Sequence, residues 1–222
     1  MQGVFPQQPQ VRRAAVILLF LLIPFFLTSC SSIPLEPTQK ISAYSTSSAE
    51  PWMRELFACA DKLSIAVEVT ADEPDLYLRL GEPDVLLAPA YQIGEQEILI
   101  VTNRQSPLQS LDLGEAQALF AGGGDSSVQV WVYPSELEMQ GLFDQFVMEG
   151  RTVTSSARVA VNPQEMSDRL NAESNAVGFL PARWKADDVR EVYSLGNFAV
   201  LAILKDEPQG GVAAILACLQ NN

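Results

Sequence analysis

From Lys40 onward, short aliphatic and β-branched runs alternate with segments of helical periodicity, and that alternation restricts the folds open to this chain. Residues 40–44, 64–70, 75–80, 97–102, 128–133, 158–161, 176–180 and 198–204 read as strands. The run 97–102 (Glu-Ile-Leu-Ile-Val-Thr) has the character of a buried strand. Between the strands lie helical segments. One opens at Glu50-Pro51-Trp52 and carries Trp52, Leu56, Phe57 and Leu63 on its apolar side. Serine just before it and proline in its first turn are helix-start signals. A second, led by Ser110-Leu111-Asp112-Leu113, runs through Ala116, Leu119 and Phe120 to the stop Gly122-Gly123-Gly124. Others cover 134–148 (with Leu142, Phe143 and Phe146), 163–170 and 212–220. Strands alternating with helices of this length imply an α/β architecture with mixed, mostly parallel sheets flanked by helices.

The N-terminus carries a different message. Arg12 and Arg13 precede an apolar run over 14–27, and no acidic residue occurs before Glu36. A membrane-spanning helix needs about 20 apolar residues, so the run fits the hydrophobic core of a secretory signal. It ends in Leu27-Thr28-Ser29-Cys30, which resembles the lipobox of bacterial lipoproteins. That resemblance implies a signal peptide over 1–29 and acyl chains such as palmitate on Cys30. It also implies a protein of the cell envelope, held on the extracytoplasmic face of the cell membrane. A cleaved signal followed by a coincidental cysteine is the alternative. Each buried CH₂ contributes about 0.8 kcal/mol, so multiple acylation anchors firmly. Residues 30–39, with Pro34 and Pro37, read as a tether.

Loss of the first 29 residues leaves 193 of 222, and loss of Arg12 and Arg13 takes the formal net charge from −13 to −15. Nucleic acid demands clustered Lys and Arg, so it is not an expected partner. The chain contains no histidine. Ser-His-Asp and Cys-His nucleophile systems and most zinc sites are thereby removed, and neither an enzyme nor a cofactor or metal site is expected. Cys59 and Cys218 form an even pair in an exported chain and suggest a disulfide between the first and last helices, with two buried thiols as the alternative.

Five segments, in order, resemble the phosphate-binding branch of the type 2 periplasmic solute-binding proteins. They are Ile41-Ser42-Ala43-Tyr44-Ser45-Thr46-Ser47-Ser48-Ala49-Glu50-Pro51, Glu97-Ile98-Leu99-Ile100-Val101-Thr102-Asn103, the stretch from Ser110 to Gly122, Val130-Trp131-Val132-Tyr133-Pro134-Ser135, and Asn175-Ala176-Val177-Gly178-Phe179. The resemblance implies a two-lobed fold, with one lobe from 40–101 plus 195–222 and the other from 102–194. A hinge would lie near 101–103 and 195–198. It also implies capture of a small anion such as phosphate, or a related polar solute, for an ABC-type permease. The alternative is a sensor or interaction module that kept the fold and lost the anion pocket.

Ligand-binding candidates are Ser45, Thr46, Ser47, Ser48, Arg79 and Ser135. Hydroxyls and unpaired N–H groups between a strand and a helix start favour an anion or polar acceptor, although serine there also serves as an N-cap. Arg79 is either a bidentate clamp or half of a surface ion pair. Where the family has Ser-Gly-Thr, this chain has Ser135-Glu136-Leu137-Glu138. Glu136 and Glu138 either complement a helix dipole or select a cationic ligand. Trp131 and Trp184 either stack on a ligand or fill the core.

Overall fold

The computed structural model describes residues 39–221, which lie in one compact unit. Cys30, the signal before it and the tether as far as residue 38 lie outside the described residues. Among the described residues eight strands form a sheet: β1 (Gln39–Ser45), β2 (Ile65–Val69), β3 (Leu76–Leu80), β4 (Ala90–Asn103), β5 (Gln129–Val132), β6 (Arg158–Val159), β7 (Ala176–Pro181) and β8 (Val189–Leu204). Their order is β2-β1-β3-β8-β4-β7-β5-β6. β1 pairs in parallel with β2 and β3, and β5 with β6 and β7. β8 and β4 run antiparallel to each other and to their outer neighbours β3 and β7. The sheet is thus mixed and mostly parallel, as the alternating sequence pattern requires.

β4 and β8 are much longer than the apolar runs within them. Their register extends from Ala90 opposite Ile203 to Asn103 opposite Val189. The parts invisible to apolar periodicity are rich in polar residues: Gln92, Glu95 and Gln96 in β4, and Arg190, Glu191, Ser194 and Asn197 in β8. Each strand supplies the other's ladder, so pairing there does not depend on a buried face. β3 joins β8 along 200–204, whereas β7 joins β4 along 98–102. Around Gln96 and Phe198 the two strands have only each other as strand neighbours. The ladder slips between Ile98 and Leu99, opposite Gly196, which has φ +99°. A residue with a Cβ rarely adopts that conformation.

Among the described residues five α-helices cover the sheet: α1 (Met53–Leu63), α2 (Leu113–Phe120), α3 (Glu138–Phe143), α4 (Pro163–Ala172) and α5 (Gly210–Gln220). α1 is entered through a 3-10 turn over Glu50–Trp52 and ends at Ser64, whose φ of 55° is left-handed. It lies against α5, and Cys59 is bonded to Cys218 with the Cα atoms 5.9 Å apart. Closing so long a loop removes unfolded-state entropy worth at most roughly 5 kcal/mol. α2 starts with a capping box, Asp112 accepting from the Glu115 N–H and Glu115 from the Asp112 N–H. Asn162 caps α4 by accepting from the Glu165 N–H at 2.8 Å.

α3 departs most from the sequence reading. The helix expected from 134 begins at Glu138, because its N-cap residue Leu137 is extended, with φ −82° and ψ 135°; before it the Tyr133 N–H donates to Gln140 Oε1 at 3.0 Å and the Leu137 N–H to the Pro134 carbonyl at 3.1 Å. Those bonds hold 134–137 as a turn. α3 then widens into a π-helical turn over Asp144–Met148. Behind it Phe143 stacks on Phe179 at 4.0 Å and meets Phe120 at 4.6 Å, all three fully buried.

Candidate functional site

Strand alternation builds one wall of a cleft. In β3 Leu76, Leu78 and Leu80 face the core, which turns Tyr77 and Arg79 to the other face. Both line a cleft of about 410 Å³, together with Thr46 just beyond β1 and with Glu82 and Asp84 just beyond β3. The other wall comes from the β5–α3 turn (Ser135, Glu136), the start of α3 (Glu138) and the π-helical turn that follows it (Gln145). The cleft thus lies beyond the carboxyl ends of parallel strands, where open α/β sheets bind ligands.

Three of the six ligand candidates meet here, namely Thr46, Arg79 and Ser135. Thr46 also shapes the backbone, its carbonyl and Oγ1 both accepting from the Ala49 N–H at 3.2 and 3.4 Å. Ser45 and Ser47 line a neighbouring hollow of about 370 Å³ with Tyr44, Met53, Phe57 and Val69. Ser48 is buried, and the hydroxyls of Ser47 and Ser48 have no partner among the described residues. Neither caps the helix. Ser135 does not cap α3 either: Leu137 holds the N-cap position, and the Ser135 hydroxyl donates to Glu136 Oε2 at 3.1 Å.

The charged groups are unevenly matched. Arg79 is the one cation among the lining residues, against Glu82, Asp84, Glu136 and Glu138. Arg79 makes no ion pair among the described residues, and its Nε is buried without a hydrogen-bond partner. Glu138 Oε1 is likewise buried and unpartnered. Tyr77 lines the same cleft and stacks on Tyr44, with ring centroids 6.1 Å apart and planes 5° from parallel. Burial pushes the Tyr77 hydroxyl above the ordinary tyrosine range; the Glu138 carboxylate adds to that and Arg79 offsets part of it.

Tyr77 and Gln145 were not singled out in the sequence. The signal for Tyr77 was present: it stands two residues from Arg79 in an alternating strand, hence on the same face. Gln145 gave none, since its position depends on the π-helical turn. Trp131 belongs to the core; its Nε1–H donates to Glu173 Oε2 at 3.3 Å, and Arg158 and Arg169 lie over its ring. Trp184 does not line the cleft.

No protein-family model matches the chain, and no curated protein matches it by sequence. Solved structures do match by shape. A protein assigned as a phosphate ABC transporter substrate-binding protein, with phosphate bound, from Clostridium perfringens superposes with a TM-score of 0.69 at 14% identity, over 81% of this chain and 92% of that one. An ABC-type phosphate transport receptor from Vibrio cholerae gives 0.58 at 12% identity, over 82% and 93%. The sulfate-bound regulatory domain of an OxyR2 mutant from Vibrio vulnificus gives 0.63 at 8%, over 86% and 99%. The chain has the type 2 periplasmic-binding-protein fold. Phosphate-binding proteins and transcription-factor regulatory domains share that fold, and relatives of both kinds hold small anions. The α/β fold expected from the sequence is the one observed.

Proposed function

We propose that this chain is an extracytoplasmic solute-binding protein that captures a small polar solute in the cleft between β3 and the β5–α3 turn. The observation that carries the reading is the cleft itself, about 410 Å³ and lined from both sides by unpartnered polar groups. Ligand sites for small molecules are concave and of this size. The exchange of strand neighbours around Gln96 and Phe198, beside Gly196, supports a division into two lobes that close by a hinge there. The lipid on Cys30 would hold the protein at the membrane, and an ABC-type permease would receive the solute. Binding without chemistry is part of the proposal; the absence of histidine removes the Ser-His-Asp and Cys-His nucleophile systems.

Thermal denaturation of the mature protein with a panel of oxyanions and small polar solutes tests the reading. A captured solute raises the melting temperature, by mass action on the folded state. Thr46→Ala and Arg79→Gln reduce the gain. A panel without any response contradicts solute capture.

A second reading, an interaction module that kept the fold, is favoured by one specific observation. Val85, Leu86 and Leu87 stand exposed in the loop that carries Glu82 and Asp84, and Leu87 is 93% exposed. Contiguous exposed aliphatics beside a cleft suit a protein partner. Asp substitutions at Val85 and Leu87 separate the readings: solute binding survives them, whereas partner binding does not.

A further inference from the structure

The charge of the cleft points away from the anions held by its structural relatives. A phosphate or sulfate placed beside Arg79 would meet one guanidinium and four carboxylates in the same lining. The serine that should help hold it is occupied, since the Ser135 hydroxyl donates to Glu136. α3 has only six residues and offers no substantial dipole. An oxyanion therefore gains little and meets repulsion from several sides.

The same groups suit a solute that carries both signs of charge. Arg79 Nε and Glu138 Oε1, both in residues that line the cleft, are buried and unpartnered, and a buried polar atom costs free energy until it is paired. Arg79 presents a fork that matches a carboxylate. Glu138, with Glu136 beside it, presents acceptors to an ammonium group. Tyr77, in the same lining and stacked on Tyr44, offers an aromatic surface of the kind that attracts cationic nitrogen. A bare metal ion does not fit this arrangement. Among the described residues no group of three or more His, Cys, Asp or Glu side chains converges enough to hold one. The carboxylates are instead distributed around a cleft large enough for a small organic molecule.

We propose that the solute is a small zwitterion of the amino-acid type, its carboxylate bound by Arg79 and its ammonium group by Glu138 and Glu136; this rests on the solute-capture reading above. The test is calorimetric titration of the mature protein with three sets of probes: inorganic phosphate and sulfate, putrescine, and the proteinogenic amino acids taken singly. At least one amino acid binds, while the anions and the diamine bind at least about a hundred-fold more weakly. Arg79→Gln and Glu138→Gln each weaken amino-acid binding by about ten-fold or more, and Glu136→Gln, at an exposed position, weakens it by less. Circular dichroism checks that each variant is folded. Binding of phosphate or sulfate overturns the zwitterion but leaves solute capture standing. Binding of putrescine alone, indifferent to Arg79→Gln, does the same. No binding in any of the three sets overturns both.

Discussion

The two ends of the sheet are secured by different means. On the β2-β1-β3 side, α1 and α5 come from opposite ends of the described chain and are bonded through Cys59 and Cys218. On the β7-β5-β6 side no covalent link is used. Phe120, Phe143 and Phe179 interlock there, with ring centroids 4.0 to 6.1 Å apart. The difference follows from chain order. The first side is assembled from distant segments and bears the larger loop-closure cost, which a disulfide removes from the unfolded state. The second is built from one continuous stretch between β4 and β8, and close packing of large rings is enough.

Four variants can break or sharpen that contrast. The largest effect belongs to the disulfide. Replacing Cys59 and Cys218 together by Ser costs up to about 5 kcal/mol in denaturant unfolding, and a loss under about 1 kcal/mol would mean that the helices hold each other unaided. Phe143→Ala comes next, with a cost of about 4 kcal/mol from lost burial and the cavity left behind. The proposed hinge between the sides predicts that this variant weakens protection from hydrogen exchange in α2–α4 more than in α1 and α5; uniform loss would make the unit a single cooperative block.

A smaller effect belongs to the contact that ties the sides together. Arg183, just after β7, forms an ion pair with Glu55 of α1 and lies 4.2 Å from the centroid of the Trp52 ring. The Trp52 ring in turn rests on Gly94 of β4, where a Cβ would overlap it. Both charged side chains are partly exposed, so Arg183→Gln costs only about 1.5 kcal/mol. No change in stability would show that the contact is incidental.

The smallest effect is at Tyr133, whose buried hydroxyl has no partner among the described residues. Burial pushes this phenol well above the ordinary tyrosine range. The neutral form is therefore the one the fold accepts. Its contribution is intact below the unfolded-state value near 10 and is lost as the pH rises through the folded-state value. Tyr133→Phe raises stability at neutral pH by about 1 kcal/mol, and raises it further in alkali. A destabilised variant would reveal a hydrogen bond that this account lacks.

How much of this was legible in the sequence depends on what kind of force sets each feature. β3 and β7 were readable because burial imposes alternation on one and continuous apolarity on the other. The disulfide was readable as a pair of cysteines in two terminal helices. The outer parts of β4 and β8 were hidden, since ladder pairing between polar segments leaves no hydrophobic period. The start of α3 was hidden for a related reason: Leu137 is held extended at the N-cap, and no capping residue in the sequence marks that position. At the site, Arg79 and Glu138 were visible as residues. Their placement on opposite walls of one cleft was a tertiary fact.

The central claim is that one solute engages both walls at once. Hydrogen exchange of the mature protein decides it most directly, measured with and without the amino acid that gives the largest calorimetric response. The account predicts slowed exchange in both 79–84 and 135–142, with α5 unchanged. Protection confined to one wall, or none in either, would contradict it.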